Sequence, residues 1–151
     1  MEQQDILSMT LPELQAAVQE LGEPKFRAKQ IFNWLHQKRV TDFSEMTTLS
    51  LPFRERLASD FCINRLKIAK RLASSVDDTV KYLYELPDGN YVETVCMQYH
   101  HGTSLCISTQ VGCRMGCRFC ASAIAGFVRN LTPAEMLLQI YETERAQNCK
   151  I

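Results

Sequence analysis

Cys113-Arg114-Met115-Gly116-Cys117-Arg118-Phe119-Cys120 places three cysteines at C-x3-C-x2-C spacing. All three sulfurs fall within eight residues, so one tight loop can turn them inward. Gly112 and Gly116 permit the backbone angles that such a wrap requires. Three thiolates suit a soft metal centre. A structural zinc site wants four protein ligands, and His100 or His101 is within reach in sequence to supply one. A four-iron cluster held by three cysteines instead leaves one iron open to a further ligand, as it must be to bind and reduce a substrate directly.

The flanking sequence frames this loop. Upstream, Ser104-Leu105-Cys106-Ile107-Ser108-Thr109 reads as a short strand that runs through Gln110-Val111-Gly112 into the cysteines. Before it, Lys81–Leu86 and Tyr91–Val95 are strand-like and flank the turn signal Pro87-Asp88-Gly89-Asn90, which predicts a β-hairpin. Downstream, Thr132-Pro133-Ala134-Glu135 has the form of a capping box and predicts a helix through Met136, Leu137, Ile140 and Tyr141 toward residue 148. The first 66 residues read as helical. Thr10-Leu11-Pro12-Glu13 is another capping box, followed by Leu14, Ala17, Val18 and Leu21 at helical spacing and by Gly22 as a stop. Pro24 opens a second helix whose core face is Phe26, Ala28, Ile31, Phe32 and Leu35, with Trp34 beside it. Ser50-Leu51-Pro52 opens a third, ending near Phe61. The expected architecture is α+β passing into α/β: a helical domain over 1–66, then a β-hairpin and the first strand–helix unit of an incomplete (β/α) barrel over 67–151.

The 151 residues are too few for a complete barrel of that kind, which needs about 250. The 17 basic and 17 acidic residues cancel. Read alone, that zero argues against nucleic acid, but it sums separated blocks. Residues 24–40 hold Lys25, Arg27, Lys29, Lys38 and Arg39 without an acid. Residues 61–73 hold Arg65, Lys67, Lys70 and Arg71 against no acid, and residues 96–131 hold Arg114, Arg118 and Arg129 against none. Such stretches can form a phosphate-binding face, or be solvated faces with local ion pairs. The acidic, polar N-terminus is unlike a secretory signal, and no run of about 18 apolar residues exists to span a membrane. A reducing cytoplasmic location is expected, where clustered cysteines bind metal or do chemistry more often than they pair.

The cysteine spacing, with an aromatic before the last cysteine, resembles the signature of radical S-adenosylmethionine enzymes. Leu105–Cys113, Gly126-Phe127-Val128-Arg129-Asn130-Leu131-Thr132, Lys25–Ile31 and Val92-Glu93-Thr94-Val95 together resemble the RlmN family of RNA adenine C2-methyltransferases. The resemblance implies a [4Fe–4S] cluster on Cys113, Cys117 and Cys120, S-adenosylmethionine on the open iron, and Phe119 near its adenine. It implies a mechanism in which a cysteine near the C-terminus carries the methyl group and a second, resolving cysteine releases the product by forming a disulfide. The resolving position corresponds to Cys106. Glu93 matches the family glutamate that moves a proton at the base, work suited to a carboxylate shielded from water. Implied partners are 23S ribosomal RNA, transfer RNA and an electron donor such as flavodoxin, with the enzyme a monomer. Cys62, Cys96 and Cys149 match nothing in the family pattern. Gly22-Glu23-Pro24 has the letters of a cofactor-binding motif of the superfamily, but stands before the cluster rather than after it and reads as a helix break.

Two alternatives share parts of this pattern. A Cfr-type enzyme methylates C8 of the same adenine, confers antibiotic resistance and has the same cluster chemistry. A non-enzymatic zinc-dependent RNA-binding module would use the three cysteines and a histidine. Only 31 residues follow Cys120, so the carrier cysteine and most cofactor contacts of the family are expected beyond this sequence. The isolated 151-residue chain is therefore predicted not to methylate RNA; C2-methyladenosine formed by it, detected by mass spectrometry of digested RNA, would refute this.

Overall fold

The computed structural model describes residues 3–151. They divide into two compact units, with the division between Asn64 and Arg65.

The first unit is built on three helices: α1 (Leu11–Glu20), α2 (Phe26–His36) and α3 (Leu51–Asp60). The start of α1 is fixed as its capping box predicts, with the Glu13 carboxylate accepting from Thr10 N and Thr10 Oγ1, each at 2.7 Å. Gly22, at φ 77°, ends it, and Pro24 precedes α2. Ala28, Ile31 and Leu35 of α2 are buried with Leu14 and Val18 of α1 and Phe53 and Leu57 of α3. Phe26 departs from the predicted core face. It is exposed, with the Arg27 guanidinium 5.0 Å from its ring centroid.

The unit is not all-helical. Strand β1 (Gln4–Asp5) pairs in parallel with β2 (Phe61–Cys62), and Gln3 Nε2 donates to the carbonyls of Ala58 and Ser59 at 3.1 and 2.6 Å. This pairing lays the first residues along the exit of α3, next to the buried Ile6 and Leu7. Two-residue strands have no period, so hydrophobic patterning gives no sign of them.

The second unit is a four-stranded antiparallel meander, β3 (Lys67–Ala73), β4 (Val80–Glu85), β5 (Tyr91–Tyr99) and β6 (Gly102–Cys106), in that spatial order. A two-stranded antiparallel ribbon follows, β7 (Gln110–Gly112) with β8 (Phe127–Asn130), enclosing the short helix α4 (Ala121–Ile124). Helix α5 (Pro133–Gln147) completes it. The predicted hairpin is β4–β5, closed through Asp88-Gly89-Asn90. Strand β3 is additional to the elements that the sequence predicts. All its residues are exposed, and Lys67, Lys70 and Arg71 line this sheet edge, where charge discourages pairing with another chain. All strand pairings described in this unit are antiparallel, so the expected parallel barrel unit is not among them. None of the described helices is long and apolar enough to cross a membrane.

One face of the meander is buried with α5. Tyr82, Tyr84, Val92, Thr94 and Cys96 alternate inward along β4 and β5, as the two-residue period of strands requires. The polar tips among them find partners on α5: the Tyr84 hydroxyl meets Thr143 Oγ1 at 2.8 Å, and Gln147 Nε2 donates to the Tyr82 hydroxyl at 2.8 Å. Burial pushes the Tyr84 phenol up to about 12 from its ordinary 10.0. The neutral phenol is thus favoured by the fold. Its contribution is complete below about pH 10 and is lost as pH rises through about 12. Tyr84→Phe is expected to cost about 1 kcal/mol near neutral pH through the lost Thr143 bond. Thermal unfolding followed across that alkaline window should show a shallower loss of stability in the variant than in the parent.

Candidate functional site

The cysteine loop is pinched shut at its base. Gln110, Val111 and Gly112 of β7 pair with Asn130, Arg129 and Phe127 of β8. Leu131 N donates to Thr109 O at 2.9 Å, and Gln110 Nε2 to Asn130 Oδ1 at 3.1 Å. Gly112 stands at φ 71°, and a Cβ there would lie 1.7 Å from the Gly126 carbonyl oxygen. The same oxygen accepts from Cys113 N at 3.1 Å. Only glycine permits that approach, so the residue before the first cysteine is fixed by contact as well as by conformation.

A charge knot anchors the outgoing strand. Arg129 donates to both Glu135 oxygens, Nη1 at 2.8 Å and Nη2 at 2.7 Å, and its Nε reaches Asp88 Oδ2 at 2.8 Å. Glu135 also accepts from Thr132 N at 2.8 Å and so closes the second predicted capping box. Burial pushes the Glu135 carboxyl up, but Arg129 and Thr132 outweigh it and hold the group below its ordinary value. Three arginines without an acid between residues 96 and 131 overstate the free positive charge. Arg129 is neutralised by acids on either side of that stretch.

Within the loop, Cys117 is exposed, and Cys113 and Cys120 are half-buried. Met115 N donates to Cys113 Sγ at 3.4 Å, and Cys120 N to Cys117 O at 3.1 Å. Phe119 is 94% exposed, and Met115 and Ile124 are nearly as open, so the rim of the loop is apolar. Arg114 lies over the Phe127 ring at 4.4 Å. Among the described residues, no group of three or more His, Cys, Asp or Glu is close enough to share a metal ion. The donor set nonetheless fits a thiophilic centre. Three soft sulfurs sit on one glycine-jointed loop, and the sequence has no carboxylate between Glu93 and Glu135. His100 and His101 stand at the β5–β6 turn, where His101 stacks on Tyr99 with centroids 5.2 Å apart.

Glu93 and Cys106 share the open face of the meander. Cys106 pairs directly with Val95, and Glu93 lies two residues before Val95, so both side chains leave the same side. Glu93 is exposed rather than shielded from water, with Lys81 Nζ 3.0 Å from its Oε1. It lines a cleft of about 240 Å³ with Ser108, Gln110, Gly112 and Ser122, at the mouth of the cysteine loop. Ser108 Oγ donates to Glu93 O at 2.7 Å.

The residues that hold these parts together have little signature in the sequence pattern: Asp88 reads as a turn residue, Glu135 as a cap, and Gln139 as neither. The one available signal was a glutamine four residues after the capping glutamate, on the helix face that carries Leu138.

Known proteins bear on this arrangement. The crystal structure of a radical SAM methyltransferase from Sphaerobacter thermophilus superposes with a TM-score of 0.85 at 35% identity, over 96% of this chain and 42% of that one. The mixed α/β fold of this chain is therefore shared with part of a radical S-adenosylmethionine methyltransferase. Residues 4–63 match the family described as ribosomal RNA large subunit methyltransferase N-terminal domain. The chain is 56% identical over 144 residues to the probable dual-specificity RNA methyltransferase RlmN of Lachnoclostridium phytofermentans, and 54% identical over 140 residues to that of Alkaliphilus oremlandii. Over the residues they share, the chain is thus similar to RNA methyltransferases named RlmN. It covers 40% of the length of each of these two relatives, and each match spans 93% of this chain.

Gly112→Ala should open the base of the loop. It is expected to cost more than Gly89→Ala, which shares a positive φ (81°) but whose Cβ would meet nothing within 4 Å. The conformational strain common to both is about 1–2 kcal/mol, and the clash with Gly126 adds to it. Equal melting temperatures for the two variants would contradict the contact argument.

Proposed function

We propose that this chain is the leading part of an RlmN-type RNA methyltransferase that methylates C2 of an adenine in 23S ribosomal RNA and in transfer RNA. The observation that carries this is identity above 50% to RlmN relatives across nearly the whole chain, cysteine loop included. Cys113, Cys117 and Cys120 would hold a [4Fe–4S] cluster. With S-adenosylmethionine bound, such a centre supplies one-electron chemistry that can activate a C–H bond, which polar methyl transfer to C2 lacks.

The chain's own residues take the remaining roles. Gly112 and Gly126 close the base of the loop that carries the three thiols. Phe119 offers an exposed ring for a flat partner such as adenine. Glu93 is the proton-moving carboxylate at the substrate base, with Lys81 paired to it. Cys106, on the same face, is the resolving thiol. Its disulfide partner is the methyl-carrying cysteine, which the family places nearer the C-terminus than this sequence reaches. Basic residues of the first unit, Lys25, Arg27 and Lys29, together with Lys67, Lys70 and Arg71 of β3, contact RNA phosphates in a salt-dependent manner. The parent enzyme acts in the cytoplasm as a monomer, drawing electrons from a donor such as flavodoxin.

Anaerobic reconstitution with iron and sulfide is the test. The chain should turn brown and retain both elements. Cys113→Ala, Cys117→Ala and Cys120→Ala should each abolish most of the colour, and Cys62→Ala and Cys149→Ala should leave it intact. A colourless protein that retains zinc in place of iron would overturn the assignment.

A further inference from the structure

We infer that Gln139 is a positioning residue: its side-chain amide fixes where β6 ends, and so where Cys106 and Glu93 stand relative to the cysteine loop. The roles of Cys106 and Glu93 are taken from the proposed function; the geometry that places them is independent of it.

Gln139 has no exposed surface. Its Oε1 accepts from Thr94 Oγ1 and from Ser108 N, each at 2.8 Å. Its Nε2 donates to Ser108 O at 2.9 Å and to Glu135 O at 3.2 Å. Two lone pairs and two N–H groups are thus all used. The two bonds to Ser108 matter most. One carboxamide takes both the N–H and the C=O of the same residue, as a neighbouring strand would. Ser108 is thereby engaged by α5 instead of by a continued β5–β6 ladder, whose last pair is Val95 with Cys106. The sequence predicts a strand through Thr109; the structure ends it at Cys106, and this side chain supplies the reason.

The consequences converge on the site. Thr94, held by Oε1, is the neighbour of Glu93, and Ser108 bonds the Glu93 carbonyl through its hydroxyl. Ser108 lies two residues after Cys106 and five before Cys113. Glu135, whose carbonyl receives the last Gln139 proton, is gripped by Arg129 on the strand that leaves the loop. One buried amide therefore ties together the carboxylate-bearing strand, the thiol-bearing strand and both ends of the loop. A leucine would fill the space and make none of these bonds.

The test compares Gln139→Leu and Gln139→Glu in the full chain. Hydrogen exchange at Ser108 and in the 105–112 segment should quicken about tenfold in Gln139→Leu, with β3 and β4 unchanged. The alkylation rate of Cys106 should change about threefold or more, with Cys62 unaffected. Gln139→Glu should quicken exchange in 105–112 at least as much, because its carboxylate keeps the contacts to Thr94 and Ser108 N but turns an oxygen on the Ser108 and Glu135 carbonyls. Faster exchange spread evenly over residues 65–151, or an unchanged Cys106, would overturn the inference. Should Gln139→Leu not fold, Gln139→Glu carries the same comparison. Iron retention measured alongside keeps the two questions apart. A parent chain that binds no iron refutes the proposed function, while exchange and alkylation still decide the role of Gln139.

Discussion

A carboxylate buried at the start of α5 must find partners, and those of Glu135 are what the second unit depends on. Leaving such a charge unpaired costs several kcal/mol, and removing one partner of a buried pair costs about 3–5. Arg129 meets Glu135 with both ends of its guanidinium and holds Asp88 as well, so helix, outgoing loop strand and hairpin turn are fixed by one cation. One turn later on the same helix, Gln139 does the equivalent for the incoming strand. The cysteine loop itself has little packing, and its rim is exposed. Its position is set almost entirely from its base.

Much of this was legible in the sequence, for identifiable reasons. Capping boxes are local, and Thr10–Glu13 and Thr132–Glu135 start helices where their spacing says they should. The hairpin around Asp88-Gly89 follows from turn chemistry and alternation. The three-cysteine spacing and its neighbouring motifs pointed to the family by resemblance, where composition alone went no further than a zero net charge. What escaped was non-local. The parallel pair β1–β2 joins residues far apart in sequence and has no period. Strand β3 has lysines and an arginine where a buried strand would have apolar residues, because it is an edge. The early end of β6 depends on a glutamine more than thirty residues downstream. The acid-free stretch from 96 to 131 looked more basic than it is, because the acids that neutralise Arg129 lie outside it.

The arrangement separates two tasks by element. Strands and α5 hold Glu93 and Cys106 on one face, while the sulfurs sit on a loop with an exposed apolar rim. Glu93 faces solvent beside Lys81 rather than lying in a dry pocket.

Three loop thiols, and no other side chain here, are proposed to hold an iron–sulfur cluster. The most direct measurement uses a chain in which Cys62, Cys96, Cys106 and Cys149 are all replaced, leaving Cys113, Cys117 and Cys120 alone. After anaerobic reconstitution it should retain iron and sulfide in equal amounts at the level of the unaltered chain. A folded chain of that kind that binds neither would contradict the account.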